Sequence, residues 1–140
     1  MLGEAVVFFD IELAVHYRFA RKQGMQLASK MRYIAAQFTA LLRDDLWRKN
    51  AAHANAMAEL LAARVGAIEG VEIVYAVQAN AVFARLPLDV IPVLQREFFF
   101  YPWDAERGEV RWMTSFDTDE ANVEEFAALI GKTMSERTAI

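Results

Sequence analysis

Val71-Glu72-Ile73-Val74-Tyr75-Ala76-Val77-Gln78-Ala79-Asn80-Ala81-Val82-Phe83-Ala84-Arg85-Leu86 decides the fold class. Two β-rich runs, 71–75 and 81–86, flank the polar stretch Gln78-Ala79-Asn80, which reads as a pair of strands. Downstream, Leu88 to Phe98 reads as a short helix with Pro92 in its first turn, where proline is tolerated. Phe99-Phe100-Tyr101 and Glu109-Val110-Arg111-Trp112-Met113-Thr114 are two more strands around the turn Asp104 to Gly108. Asp117-Thr118-Asp119-Glu120 then places carboxylates at the positive end of a final helix. The order β-β-α-β-β-α predicts a small antiparallel-rich sheet with helices on one face, an α+β fold.

Upstream the chemistry changes. From Ile11 to Ile68 there is no proline, and good helix formers dominate. The pattern predicts a helix near 11–22, a break from Gly24 to Ser29 and a long helical stretch from Lys30 to Ile68. Ser29 is expected to cap that stretch, and Asp44-Asp45 or the polar stretch Arg48-Lys49-Asn50 to bend it. Tyr33, Ala36, Gln37, Ala40 and Leu41 fall on one side, and Leu60, Leu61, Val65 and Ile68 form a later apolar stripe. Glu69-Gly70 ends the region. The opening Glu4-Ala5-Val6-Val7-Phe8-Phe9-Asp10 is apolar throughout and reads as a strand buried on both faces. The expected division is 1–68, the first strand and connecting helices, and 69–140, a small α+β domain.

Composition excludes several function classes. The chain has 140 residues, Lys+Arg 15, Asp+Glu 19 and net charge −4. With no basic block, phosphate-driven nucleic-acid binding is unsupported. Mean hydropathy is +0.14, and no apolar run approaches the roughly 20 residues of a bilayer span, so no membrane partner is expected. Zero cysteines remove thiolate chemistry and disulfides and fit a reducing cytoplasm. His16 and His53 are far apart in sequence, and no metal motif can be assembled around them.

Among residues that could carry chemistry, Arg111 stands first. Strand alternation puts Val110, Trp112, Thr114 and Phe116 on one face and Arg111 with Glu109, Met113 and Ser115 on the other. A guanidinium on a rigid strand suits bidentate recognition of a carboxylate; it suits equally a cross-strand pair with an acid. Arg18, Arg21, Lys22, Lys30 and Arg32 flank the break between the first helices, as an anion site or a solvated face. His53 reads as a surface or packing histidine. Phe98 to Trp103 is either core or an apolar surface for a partner. No complete catalytic set emerges from these residues.

Five blocks, Gly3–Asp10, Ser29–Gln37, His53–Ala58, Asn80–Pro87 and Val110–Thr118, together resemble the C-terminal part of the low-specificity threonine aldolase family, phenylserine-aldolase-like members included. That resemblance implies a pyridoxal-phosphate enzyme of the aspartate-aminotransferase type (fold type I), with a seven-stranded large domain followed by a small C-terminal one. The opening strand would be the last of the large-domain sheet. The implied reaction cleaves β-hydroxy-α-amino acids such as threonine to glycine and an aldehyde. Arg111 matches the family arginine that holds the substrate α-carboxylate, and Lys22 resembles one of an Arg-Lys pair near the active site. The Schiff-base lysine precedes the Gly-Glu-Ala-Val-Val-Phe-Phe strand in the family, whereas only Met1 and Leu2 precede Gly3 here. The expectation is therefore a C-terminal fragment that binds no pyridoxal phosphate covalently, contributes no catalytic residue, is inactive alone and forms homo-oligomers. A stand-alone, non-catalytic α+β interaction or ligand-binding module is the alternative.

Overall fold

The computed structural model describes residues 3–138, and of Thr138 only the backbone. The expectation that rests on Met1 and Leu2 lies outside the described residues. Two compact units divide the chain, 1–47 and 48–140.

The first unit is helical. It contains α1 (Ile11–Ala14), α2 (Tyr17–Gln23) and α3 (Met31–Leu42). Asp10 caps α1, its carboxylate accepting from the Glu12 N–H at 2.9 Å. The single helix expected over 11–22 is thus two short ones, interrupted at Val15 and His16. Ser29 is not the cap of α3; that position belongs to Lys30, which offers no side-chain acceptor. The side of α3 that is partly covered is Ile34, Gln37, Phe38 and Leu41, with Tyr33, Ala36 and Ala40 exposed. This is a helical stripe rotated from the expected one. Gly3 lies against it, because a Cβ there would stand 2.7 Å from Ile34 Cγ2. Glu4–Asp10 forms no strand, and Val6, Val7 and Phe9 are exposed. A strand needs a ladder partner, and the four strands among the described residues pair only with one another.

A single 3₁₀ turn, Arg43–Asp45, separates α3 from α4 (Leu46–Val65). Asp44 and Asp45 both adopt left-handed backbone, at φ 53° and 57°, so of the two places expected to bend, the bend falls at these aspartates, while Arg48-Lys49-Asn50 lies within the continuous α4. Such a conformation costs about 1–2 kcal/mol per non-glycine residue, with aspartate among the better tolerated.

The second unit holds the core. Its strands are β1 (Glu72–Ile73), β2 (Ala81–Arg85), β3 (Tyr101–Asp104) and β4 (Glu109–Met113), with α5 (Ile91–Leu94) between β2 and β3 and α6 (Glu120–Thr138) last. All pairs are antiparallel, in the order β1-β2-β4-β3. The expected β-β-α-β-β-α order is present, with a shorter first strand and a shorter middle helix. Ala54, Met57, Ala58, Leu61 and Val65 on α4 repeat at i, i+3, i+4, i+7 and i+11; Val123, Phe126, Ala127, Ile130 and Met134 on α6 repeat identically. All of these but Ala54 join one cluster with Val82, Ala84, Val110 and Trp112 of the sheet, so the helices cover one sheet face. Each fully buried aliphatic side chain in it contributes roughly 1.5–3 kcal/mol. The buried stripe on α4 places that helix with the core of unit 48–140. Asp119 caps α6 reciprocally with Asn122: Asp119 Oδ1 accepts from the Asn122 N–H at 2.8 Å, and Asn122 Oδ1 accepts from the Asp119 N–H at 3.1 Å.

Candidate functional site: the open face of the sheet

Burial of Val110, Trp112 and Thr114 against the helices turns Arg111 and Met113 to the uncovered face. Phe116, expected with the buried set, is exposed, because the strand ends at Met113 and alternation ends with it. Arg111 stands opposite Phe83 on β2 and Tyr101 on β3, in the middle of three paired strands.

The acids on this face are committed elsewhere. Arg85 Nη2 donates to Glu109 Oε1 at 2.7 Å, and its other terminal nitrogen reaches Glu72. Register places Glu72, Arg85 and Glu109 side by side across β1, β2 and β4. The hydrogen bond to Glu109, then the charges of Glu72 and Glu109, hold the Arg85 pKa above its ordinary value against the opposing effect of desolvation. The cross-strand acid pair that the sequence allowed for Arg111 is thus made by Arg85. Arg111 itself makes no ion pair with any side chain among the described residues.

Its neighbour is aromatic instead. The Arg111 guanidinium carbon lies 5.1 Å from the centroid of Trp103. Phe83 meets Trp103 edge-on at 5.2 Å, and Tyr75 meets Phe83 at 5.5 Å, both at 79°. Alternation from Tyr101, the residue opposite Arg111, puts Trp103 on the same face, and a register shift follows: Pro102 pairs with Val110 and Asp104 with Glu109, leaving Trp103 as the extra residue.

The end of β4 is pinned. Thr114 Oγ1 donates to the Ala54 carbonyl of α4 at 2.7 Å, the Thr114 N–H donates to Asn80 O at 3.0 Å, and Asn80 Nδ2 donates to Thr114 O at 2.7 Å. Just beyond, His53 Nε2 donates to the Thr118 carbonyl at 2.7 Å, a packing role for this histidine.

Of the two residues assigned to substrate, Arg111 belongs to unit 48–140 and Lys22, exposed on α2, to unit 1–47. The basic cluster around Lys22 is partly self-engaged, with Arg18 over Phe19 at 4.6 Å and Arg32 over Tyr33 at 5.2 Å. The Phe98–Trp103 cluster divides: Phe100 is core, while Phe99, Tyr101 and Trp103 are exposed. Sequence reasoning missed the partnership of Trp103 with Arg111, since it placed the strand at Phe99–Tyr101, short of Trp103, and the register between β3 and β4 is not written in either strand alone. An apolar groove of about 320 Å³, lined in part by Phe98, Trp112 and Phe126, opens elsewhere in this unit and does not include Arg111. Among the described residues no cluster of His, Asp or Glu could hold a metal, and no helix is long and apolar enough to cross a membrane.

No family model matches the chain. It is 41% identical over 134 residues to a low specificity L-threonine aldolase of Pseudomonas sp. (strain NCIMB 10558), covering 96% of this chain and 39% of that protein. A low specificity L-threonine aldolase of Pseudomonas aeruginosa is 43% identical over 127 residues, 90% of this chain and 36% of the relative. The chain thus spans little more than a third of the length of these curated relatives. A solved threonine aldolase of Leishmania major superposes with a TM-score of 0.75 at 28% identity, over 84% of this chain and 35% of that one. The fold is accordingly α+β, of the pyridoxal-phosphate fold type I class.

Proposed function

We propose that this chain, which matches the C-terminal part of low-specificity threonine aldolases, is the substrate-orienting portion of a pyridoxal-phosphate-dependent aldolase that cleaves β-hydroxy-α-amino acids to glycine and an aldehyde. One observation carries the reading: Arg111 is a half-buried strand arginine with no acid partner among the described residues, its neighbours Glu72 and Glu109 being held by Arg85. Its fork is therefore available to a ligand carboxylate, in two parallel charge-assisted hydrogen bonds.

The surroundings of Arg111 do not fit the cofactor itself. Among the described residues of unit 48–140, Lys49 and Lys132 are exposed, and the residues paired with or stacked on Arg111 are aromatic, with no amine for a Schiff base. The bond-breaking chemistry consequently lies outside this face. What Arg111 does is fix the α-carboxylate, and so the direction of the Cα–Cβ bond. Lys22 remains a second candidate on its likeness to the family Arg-Lys pair. A cytoplasmic setting and assembly with further copies belong to the same proposal; unit 1–47 buries none of its described residues fully, which supports the need for additional protein surface.

The test is Arg111→Ala in the holoenzyme that carries this chain. Losing a bidentate contact of about 2–4 kcal/mol should lower kcat/KM by roughly 30- to 1,000-fold. Arg111→Lys should rescue only partly. Unchanged kinetics with a lower Tm would overturn the assignment.

A further inference from the structure

We propose that Trp103 is a positioning residue for Arg111, holding the guanidinium by its face so that its N–H edge stays free for a carboxylate. The inference rests on the carboxylate reading above and adds the device that makes it work. An arginine without an acid partner has a long, mobile stem, and an ion pair would fix it only by occupying the same edge a ligand needs. An aromatic ring engages the other surface of the cation: attraction to a π-face operates within about 6 Å of the centroid and leaves the in-plane donors unused. The 5.1 Å separation satisfies that condition.

Three features make Trp103 a support rather than an accidental neighbour. The bulge assigns it no partner on β4, so its backbone position serves the side chain and not the ladder. Phe83 braces the indole edge-on, and Tyr75 braces Phe83, giving a row of rings across β2 and β3. Phe83 is also the cross-strand partner of Arg111, so the brace and the cation share one register. Trp103 is 55% exposed, which lets it be replaced without opening the core.

The experiment uses the whole chain with ¹⁵N-labelled arginine, the Arg111 Nε–H signal being assigned by its loss in R111K, and glycine as the carboxylate probe. In the wild type the signal should be displaced from the free-arginine position by the indole ring current and should move on glycine addition. W103F should keep most of both effects. W103L should return the signal to the free-arginine position and weaken apparent glycine binding by about three- to tenfold, with the melting curve little changed. If W103L does not fold, the graded W103F displacement decides. Unaltered signal and affinity in W103L would overturn the proposal, as would a wild-type signal at the free-arginine position. A displaced wild-type signal that ignores glycine would instead overturn the carboxylate reading and uphold the Trp103–Arg111 contact.

Discussion

Arg85 and Glu109 are joined at 2.7 Å across β2 and β4, with the Glu109 side chain only 7% exposed. Glu109 is two residues from Arg111 on the same strand and the same face, so this pair decides whether Arg111 is free. The charge of Arg85 is favoured in the folded chain, chiefly by the Glu109 hydrogen bond, so its pKa is raised. That stabilisation is fully present below the ordinary arginine pKa and fades only as strong alkali is approached. Near neutrality Arg85 should contribute no pH dependence.

Arg85→Met is expected to release Glu109 toward Arg111. Glycine affinity at Arg111 should fall, and Tm should fall with it. Adding Glu109→Gln removes the competing acid, so the double variant should recover affinity while staying less stable than wild type. Titrating both variants separates the two effects; a double variant as weak as the single would show that Glu109 does not compete.

Gly108 and Gly70 should respond differently to alanine. Both have left-handed backbone, at φ +69° and +84°, costing about 1–2 kcal/mol for any other residue. A Cβ at Gly108 would lie 2.3 Å from the Leu86 carbonyl oxygen, whereas at Gly70 it meets the flexible end of Met134 at 2.6 Å. Gly70→Ala should therefore cost little beyond the backbone term. Gly108→Ala must displace backbone that supports β2 and β4, and denaturant titration should show it clearly the less stable.

Thr114→Val deletes the buried hydroxyl that reaches Ala54. Loss of one such bond costs about 1–2 kcal/mol, and Thr114→Ser should retain most of it. Since Thr114 anchors the strand bearing Arg111, the valine variant should also broaden the Arg111 Nε–H signal, which serine leaves sharp.

A polypeptide of these 140 residues, supplied with pyridoxal phosphate, is expected to show neither specific Schiff-base absorbance nor retro-aldol turnover. The lysines it offers, Lys22, Lys30, Lys49 and Lys132, are all exposed to solvent. An aldehyde release rate well above buffer would contradict this.

Much of unit 48–140 was legible because its signals are local and periodic. The α6 cap, the β2 and β4 alternation and the breaks at Gly70 and Gly108 follow from neighbours in sequence. Arg111 was legible as a cation on a strand, but its freedom was not: that depends on Arg85 claiming Glu109, a choice between two arginines that strand register makes. Trp103 was hidden for a related reason, since the strand extends two residues past the Phe99–Tyr101 run and its register against β4 is set by pairing, not by composition. The Glu4–Asp10 run misled because composition reports a strand's preference for burial and not the presence of a partner to pair with.

Both borders of the sheet are blunted. β1 is two residues long, and β3 carries Pro102, which has no N–H to offer, beside a bulge that disturbs the ladder. Neither border is a good template for another chain to extend. Association through these edges is therefore disfavoured, and preparations held at high concentration should resist growth into cross-β fibrils.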